Sequence, residues 1–303
     1  FHYREGKGHS AVTQSNDSKS PDRRLNPYRP DLAAAHLRGE VEAARFEEGE
    51  DHSVIIGAAA LRRKPAPDGA MDTQILFGET FRVYEEKNGW AWGQSAFDDY
   101  VGYVDATHLL PKRAEPEHRV VALRTFIYPR PDMKTQPVVP LPMNAKVKVT
   151  GAAGRFSEIE GGGFVFSAHL APIGAYVDDY VAIAESFLGT PYLWGGRGSM
   201  GVDCSGLVQM ALERAGIHSL RDTDMQEAAL GERLDEPYDL TGLRRGDLVF
   251  WRGHVGIMCD EKTMLHANAT FMAVTREPLE DAATRIARTD GPITSIKRLT
   301  NGI

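Results

Sequence analysis

The chain has 303 residues, enough for two domains or several smaller modules, and 42% of them are hydrophobic, which suffices for real cores. Its net charge of −7, with acidic and basic residues interspersed, argues against nucleic acid or an anionic membrane surface as a partner. Two cysteines, Cys204 and Cys259, are too few for a disulfide framework, so a reduced compartment is expected, with a single bridge as the alternative.

The sequence contains no segment that resembles a membrane anchor or an export signal. No run approaches the roughly 18 apolar residues that span a bilayer, and the N-terminus lacks the apolar stretch of a signal peptide. We therefore expect a cytoplasmic protein without membrane insertion. Because the sequence begins at Phe1 rather than Met, a leader removed before this residue, and with it a periplasmic or secreted location, stays an open alternative.

The first 50 residues divide into a polar stretch and a mixed one. Residues 1–25 are dominated by Gly, Ser, Asn, Asp and Lys and have almost nothing to bury, which predicts disorder or a tag. Residues 26–50 combine helix formers with scattered apolar residues. We expect a helical or extended segment there that wraps onto a neighbouring module.

Short β-type runs separated by Gly, Pro and Asp turns fill residues 51–173. An internal repeat divides this region, because "THLLP" at residues 107–111 recurs as "AHLAP" at residues 168–172, with the two histidines 61 positions apart. Repeats of about 60 residues made of short strands are typical of SH3-like barrels. We therefore predict two small all-β SH3-like domains, one over residues 51–112 and one over residues 113–173.

The region from residue 174 to residue 303 has a mixed pattern that predicts helices and strands together. Helices are predicted near residues 178–188 and 279–287, and strands near residues 248–251, 255–258, 263–267 and 293–299. A further helix follows from the stretch "VDCSGLVQMALERAG", which begins at residue 202.

That stretch places a cysteine at the beginning of an amphipathic helix. Asp203 is a good N-cap residue and Gly216 stands where such a helix would end. Cys204 then lies in the first turn, where unpaired backbone N–H groups and the helix dipole favour a thiolate and can hold an oxyanion. The alternative is a buried cysteine that packs as a small hydrophobic side chain.

Two of the ten histidines are placed to serve such a nucleophile. If Met258 faces Lys262 across a three-residue turn, His254 and His266 become cross-strand neighbours on one face of a hairpin. His254 can then act as base toward Cys204 while His266 orients its ring. Two unrelated strand histidines are one alternative and a zinc site is another, although no close ligand pair of the C-x-x-C or H-E-x-x-H kind is present. We predict no metal and no cofactor.

Three segments in this order resemble the NlpC-type cysteine peptidases of bacteria: "TPYLWGGRGSMGVDCSGLVQ", "RRGDLVFWRGHVGIM" and "MLHANA". That family is a circularly rearranged branch of the papain-like superfamily and acts on cell-wall peptides. The resemblance covers about residues 175–299. It implies an α+β papain-like catalytic domain over residues 174–303, with a central antiparallel sheet and the nucleophile at a helix N-terminus, preceded by two small all-β SH3-like barrels.

The two barrels in front of this domain make the chain similar to one subgroup, the γ-D-glutamyl-L-diamino-acid endopeptidases that recycle murein peptides with a free N-terminal L-Ala. The resemblance implies that Cys204 is the nucleophile, His254 the base and His266 the residue that orients the base. This agrees with the roles that the hairpin register suggests.

The resemblance also implies seven substrate-binding residues, drawn from the catalytic domain and from the first barrel. These are Tyr192, Trp194, Asp203, Ser205, Asp222, Glu79 and Tyr100. Asp222 would pair with the free amine of the substrate, and Glu79 and Tyr100 would close the amine pocket from the barrel. The alternatives are aromatic packing for the first two residues, an N-cap role for Asp203 and a solvated carboxylate for Asp222. For Glu79 and Tyr100 the alternative is a loop glutamate and a barrel tyrosine without a function.

The expected function is therefore hydrolysis of the bond between γ-D-glutamate and diaminopimelate or lysine in murein peptides that carry a free N-terminal L-Ala. The expected partner is this peptide, with neither nucleic acid nor an obligate protein partner. A secreted hydrolase of the intact wall, an amidase or acyltransferase of the same superfamily, and a non-enzymatic wall-binding protein with an inert Cys204 are the alternatives.

Overall fold

The structure is a computed structural model that describes residues 20–112, 114–234 and 240–299. Along these residues an N-terminal segment is followed by two small β units and a larger mixed unit. None of the helices in these three ranges has the length and apolar character needed to span a membrane.

The N-terminal segment, residues 20–49, is extended rather than helical. It contains a parallel pair of two-residue strands, β1 (Ala33–Ala34) and β2 (Phe46–Glu47), and one 3-10 turn, Ala35–Leu37. Leu32 is fully buried among apolar side chains that include Trp92 of the first β unit. The segment therefore wraps onto its neighbour, as its apolar residues predict.

The prediction that residues 1–25 form a disordered stretch or a tag is wrong for residues 20–25. The backbone N–H of Val101 donates to the carbonyl of Arg24 at 2.8 Å, and the amide of Gln94 donates to the carbonyl of Leu25 at 2.9 Å. These bonds hold the segment along the first β unit, and few apolar residues are needed for that. Residues 1–19 lie outside the described residues.

The first β unit is a seven-stranded antiparallel sheet. Its strands are β3 (Glu50–Val54), β4 (Ala58–Arg62), β5 (Met71–Leu76), β6 (Thr80–Lys87), β7 (Trp90–Ser95), β8 (Val101–Asp105) and β9 (Leu109–Pro111). Their spatial order is β5-β4-β8-β7-β6-β3-β9. Alternate side chains such as Leu61, Ile75 and Phe81 are buried in one core, because successive residues of a strand point to opposite faces.

The second β unit is built from three small antiparallel sheets. Its strands are β10 (His118–Val120), β11 (Arg124–Ile127), β12 (Val139–Pro142), β13 (Lys146–Val147), β14 (Val149–Ala153), β15 (Phe156–Ile159), β16 (Phe164–Phe166) and β17 (Leu170–Pro172). The sheets are β13-β10-β17, β11-β12 and β14-β15-β16. In both β units a 3-10 turn, Ala106–His108 or Ser167–His169, leads into the last strand, so the two copies of the repeated motif have the same local structure.

The mixed unit has four helices and eight strands in the described ranges. The helices are α1 (Tyr180–Glu185), α2 (Cys204–Arg214), α3 (Thr223–Ala229) and α4 (Leu279–Ile286). The strands are β18 (Arg197–Gly198), β19 (Gly201–Val202), β20 (Glu232–Arg233), β21 (Leu248–Trp251), β22 (His254–Met258), β23 (Thr263–Asn268), β24 (Ala273–Pro278) and β25 (Ser295–Arg298).

Six of these strands form a central antiparallel sheet in the order β20-β25-β21-β22-β23-β24. Helix α2 packs on β22 and β23 through one core that contains Val255, Ile257, Leu265 and Ala267. This arrangement confirms the predicted α+β class, with a cysteine at the N-terminus of a helix that covers an antiparallel sheet. The domain boundaries given above stay predictions.

A buried cluster of charges joins the mixed unit to both β units. Arg197 donates to Glu79 of the first β unit at 2.7 Å and to Glu213 of α2 at 3.0 Å. Lys146 of the second β unit pairs with the same two carboxylates at 3.1 and 3.2 Å. Because opposite charges are paired in this cluster, their burial at the junction is tolerated.

Candidate active site

Helix α2 begins at Cys204, and the side chain of Asp203 caps it. Oδ1 of Asp203 accepts the backbone N–H of Gly206 at 2.7 Å, which satisfies one of the unpaired donors of the first turn. Oδ2 accepts the N–H of Gly195 at 2.9 Å, so the same carboxylate fixes the loop in front of the helix. The capping role raised as an alternative for Asp203 is present, and a contact with substrate stays a prediction.

Arg221 is a site residue that the sequence reasoning missed. It is fully buried, and its guanidinium donates to Oδ2 of Asp203 at 2.7 Å and to Oγ of Ser205 at 2.8 Å. Its Nε donates to Thr73 of the first β unit at 2.7 Å. The two residues that flank the nucleophile are thus tied together from behind. The signal was present in "SLRDTD", where Arg221 directly precedes Asp222.

The thiol of Cys204 is buried, and its pKa is displaced in the direction opposite to the one predicted. Burial raises the pKa of Cys204 to about 12, and the negative charge of Asp203 adds to this rise. Backbone N–H groups of Val255 and Ser205 favour the thiolate but do not outweigh burial. The expectation of a lowered pKa is therefore wrong for the free protein, in which the cysteine is a neutral thiol. Since Val255 follows His254, the sulfur lies at that end of β22.

The two histidines meet as predicted, although the register that led to the prediction is wrong. Nε2 of His254 lies 2.7 Å from Nδ1 of His266, and the ring centroids are 5.0 Å apart. Met258 faces Met264 rather than Lys262, because the turn begins one residue later than assumed. The carboxylate of Asp260 accepts the backbone N–H of Lys262 and starts that turn. A shift of two positions keeps both rings on the same face, so they are diagonal neighbours.

A carboxylate and a guanidinium stand behind the histidine pair, and neither was predicted. Nε2 of His266 lies 2.7 Å from Oε1 of Glu277 on β24, and Arg285 of α4 donates to both oxygens of Glu277 at 2.6 Å. Burial opposes the ionisation of Glu277, but the hydrogen bonds from Arg285 and His266 outweigh it and lower its pKa to about 2. No motif marks this pair, because strand β24 and helix α4 bring it together only in the folded chain.

The environment of His254 keeps its ring neutral. Burial lowers the pKa of His254 to about 3, and the positive charges that His266 and Arg285 can carry add to the effect. A neutral imidazole can accept a proton, which is what a general base requires.

The aromatic residues of the preceding loop lie in different environments. Tyr192 is half-buried against the core of the mixed unit, and burial together with the nearby Cys204 and Asp203 raises the pKa of its hydroxyl. Trp194 is 69% exposed, so aromatic packing does not explain its position. Contacts of either ring with substrate stay predictions.

Asp222 and Tyr100 come together across the boundary between the first β unit and the mixed unit. The Tyr100 hydroxyl donates to Oδ2 of Asp222 at 3.0 Å. Asp222 occupies the N-cap position of α3, yet its side chain makes no capping hydrogen bond there. Burial raises the pKa of Asp222, and the charge of Arg221 and the bonds from Arg24 and Tyr100 oppose that rise.

Arg24 of the N-terminal segment also reaches this carboxylate. Its guanidinium donates to Asp222 at 2.9 Å and to Asp224 at 2.8 Å. This contact was not expected, because residues 1–25 were predicted to be disordered or a tag. An isolated arginine in a polar stretch gives no local sequence signal.

Glu79 does not take part in this arrangement, and its assignment to the amine pocket needs correction. Both of its oxygens are bonded to Arg197, its side chain is 1% exposed, and it belongs to the buried charge cluster. The charges of Arg197 and Lys146 outweigh burial and lower the pKa of Glu79 to about 2. It is a structural anion at the junction of three units.

Among the described residues, no three His, Cys, Asp or Glu side chains converge in the way that metal ligands would. The nitrogens of His266 are instead engaged by His254 and Glu277. The Cys204 thiol at the helix N-terminus thus lies at the end of β22 that carries the neutral imidazole of His254, and a chain of hydrogen bonds stands behind that ring. Nucleophilic acyl transfer requires a thiol, a base and a group that orients the base.

Two parts of the chain match known protein families. Residues 189–287 match the NlpC/P60 family, and residues 61–109 match the bacterial dipeptidyl-peptidase Sh3 domain. The chain carries an NlpC/P60 domain. The matched range contains Cys204, His254 and His266. The NlpC/P60 domain and the relatives below show that the chain is a cysteine peptidase, a hydrolase.

Two relatives resemble most of the chain. Dipeptidyl-peptidase 6 of Lysinibacillus sphaericus is 25% identical over 71% of this chain and 86% of its own length. The gamma-D-glutamyl-L-lysine dipeptidyl-peptidase of Bacillus subtilis is 28% identical over 68% of this chain and 75% of its own.

A solved structure extends the likeness beyond the NlpC/P60 domain. The crystal structure of an NlpC/P60 family protein from Bacillus cereus covers 82% of this chain and 99% of its own, with a TM-score of 0.69 and 19% identity. At this identity the likeness concerns the fold, which includes the β units in front of the NlpC/P60 domain.

Proposed function

We propose that this peptidase cleaves murein peptides with a free N-terminal L-Ala, at the bond between γ-D-glutamate and the diamino acid, which is diaminopimelate or lysine. We place this activity in the recycling of cell-wall peptides. The observation that carries the proposal is the carboxylate of Asp222, presented to the boundary of two units by Tyr100. The name of the Bacillus subtilis relative includes the same γ-D-glutamyl linkage.

The proposed selectivity follows from the cost of burying an ammonium ion. An unpaired charge leaves water only at a large penalty, whereas a carboxylate with a hydrogen-bonded neighbour compensates it. Asp222 has its Oδ2 bonded to Tyr100 and Arg24, and no hydrogen bond to its Oδ1 is recorded among the described residues. An acylated amine lacks the charge that would match this acid, so the pocket would favour a free amino end over intact wall.

In the proposed reaction the Cys204 thiol attacks the γ-carbonyl of D-glutamate while His254 takes its proton. Backbone N–H groups at the start of α2, with the Tyr192 hydroxyl as a further donor, stabilise the oxyanion. The protonated His254 then gives its proton to the departing amine of the diamino acid. Water activated by the same ring releases L-Ala-γ-D-Glu from the sulfur. His266 keeps the His254 ring in place throughout.

The experiment uses two matched tripeptides, L-Ala-γ-D-Glu-L-Lys and its N-acetylated form, and the same pair with diaminopimelate. We expect the free-amine peptides to be cleaved with a kcat/KM about a hundredfold higher, because a charge-assisted pair contributes about 1.5–3 kcal/mol. Equal kcat/KM values for both members of a pair would contradict the proposed selectivity and favour a general wall hydrolase. Solubilisation of intact sacculi would contradict the recycling role.

A further inference from the structure

The hydrogen-bond chain behind the histidine pair fixes which nitrogen of each ring carries a proton. Glu277 holds two hydrogen bonds from Arg285, each 2.6 Å long, so it is an ionised acceptor without a proton to donate. His266 faces its Oε1 through Nε2 at 2.7 Å, and the side chain of His266 is fully buried. The proton of a neutral His266 must therefore sit on Nε2.

The same reasoning carries over to His254. With its proton on Nε2, a neutral His266 offers Nδ1 as a lone pair. Nε2 of His254 lies 2.7 Å from that lone pair, so it must be the protonated nitrogen of the second ring. The free lone pair of His254 is then on Nδ1. This is the nitrogen left to accept a proton from a thiol.

We propose that Glu277 is a positioning residue that sets the tautomers of His266 and His254 and so prepares Nδ1 of His254 as the base. Arg285 limits the effect of Glu277 on the histidines, since its guanidinium holds the Glu277 carboxylate in place and offsets part of its negative charge. This inference rests on the proposed roles of Cys204 and His254, and it assigns Glu277 and Arg285 a role that is exerted through the two histidines.

The hydrogen bonds that run from Glu277 through His266 to His254 also stabilise the charge that forms during proton transfer. When the thiol proton moves to Nδ1, His254 becomes an imidazolium whose Nε2–H still points to His266. The charged groups that act on the two rings are Glu277 on β24 and Arg285 on α4. The negative charge of Glu277 favours the imidazolium, and the positive charge of Arg285 disfavours it. Removing Glu277 should therefore shift the equilibrium away from the thiolate–imidazolium pair, and removing Arg285 should shift it toward that pair.

The first test needs no variant. In ¹⁵N NMR spectra of the histidine-labelled wild-type protein near pH 7, both rings should show the shifts of a protonated Nε2 and an unprotonated Nδ1. A ring at His266 with its proton on Nδ1 would overturn the proposal.

The second test compares three variants by the rate at which iodoacetamide alkylates Cys204 at pH 7 without substrate. In Glu277→Gln we expect alkylation about tenfold slower, because the thiolate–imidazolium pair of Cys204 and His254 loses a stabilising negative charge. In Arg285→Met we expect it severalfold faster, because a destabilising positive charge is removed. Glu280→Gln makes the same chemical change at an exposed position of α4 and should leave the rate unchanged. Cys259→Ser serves as the background so that only one thiol reacts.

Turnover supplies a separate readout. Because Glu277 is proposed to act through His266 and His254, Glu277→Gln should lower kcat about tenfold or more and leave KM nearly unchanged. If turnover and the alkylation rate of Cys204 both fall in Glu277→Gln and in Arg285→Met, the two residues have a merely structural role and the proposal is overturned. If the wild-type protein cleaves no murein peptide, the proposed function fails, whereas the tautomer and alkylation results still decide the role of Glu277.

Discussion

Burial keeps the thiol of Cys204 and the ring of His254 uncharged at neutral pH. The pKa of the first rises to about 12 and that of the second falls to about 3, so a preformed thiolate is not the resting state. We expect the proton to move when substrate supplies a developing oxyanion at the helix start. This differs from the lowered thiol pKa that the helix N-terminus alone would produce, because desolvation outweighs the dipole.

The lowered pKa of His254 makes the folded protein sensitive to acid. In the unfolded chain the ring titrates near 6.5, so below this pH the unfolded state binds a proton that the native state excludes until about pH 3. The free energy of unfolding should fall by at most about 1.4 kcal/mol per pH unit in this window. His254→Gln should flatten the slope in urea titrations between pH 7 and pH 4. A slope unchanged by that variant would contradict the shift.

Asp222 carries the proposed selectivity, and its removal can be tested against a close neighbour. Asp222→Asn should lower kcat/KM for the free-amine tripeptide about 10- to 100-fold and leave the N-acetylated form unaffected, because one charge-assisted bond is lost. Asp224→Asn is the matched control, since its carboxylate also binds Arg24 but is 63% exposed. Losses of equal size in both variants would show that the two acids act through their contact with Arg24 and that Asp222 does not bind the substrate amine.

At the scale of residues, the sequence predicts what lies within one motif and misses what lies between motifs. Cys204 behind an N-cap and the twelve-residue separation of two histidines are local signals. Arg221, Glu277 and Arg24 reach the site from other elements. A glutamate such as Glu79 looks the same in sequence whether it binds substrate or is buried against Arg197.

Individual elements show why a pattern determines a face more securely than a register. The β22–β23 hairpin keeps His254 and His266 on one side because residues two positions apart share a face. The turn itself depends on Asp260, whose side chain accepts two backbone N–H groups, and this was not apparent from the apolar pattern. In the same way, the apolar residues of the N-terminal segment predicted contact with a neighbour, whereas the extended conformation depends on that neighbour.

The N-terminal segment is held by its own small core, which a single substitution can test. Leu32 is fully buried, and Leu32→Ala should lower the free energy of unfolding by about 2–5 kcal/mol through lost burial and an unfilled cavity. Met133→Ala removes a large side chain that is 72% exposed and should change stability by less than about 0.5 kcal/mol. If urea unfolding shows equal effects for the two variants, the segment is not docked as described.

For the whole molecule, the 61-residue repeat and the change from β runs to a mixed pattern predict the order of the units. How the units lock together was beyond prediction, because Glu79, Lys146, Arg197 and Glu213 come from separate regions and are ordinary surface residues by composition. Their burial at one junction places Tyr100 of the first unit beside Asp222 of the last. The site is therefore a product of the assembly of units.

The buried charge cluster predicts that stability depends on complete pairing. Arg197→Met would leave the carboxylates of Glu79 and Glu213 with only Lys146 between them, and we expect a loss of about 3–5 kcal/mol in the free energy of unfolding. Arg130→Met, at an exposed position, is the control. A loss below about 1 kcal/mol in urea unfolding would mean that water reaches the junction and screens these charges.

The most direct measurement is turnover of L-Ala-γ-D-Glu-L-Lys by the wild-type protein and by Cys204→Ala, with the circular dichroism spectrum of both recorded to confirm an intact fold. We predict release of lysine by the wild type and no detectable release by the variant, because Cys204 is the residue assigned as the nucleophile. Lysine release by the folded variant at a rate comparable to the wild type would contradict the assignment of Cys204.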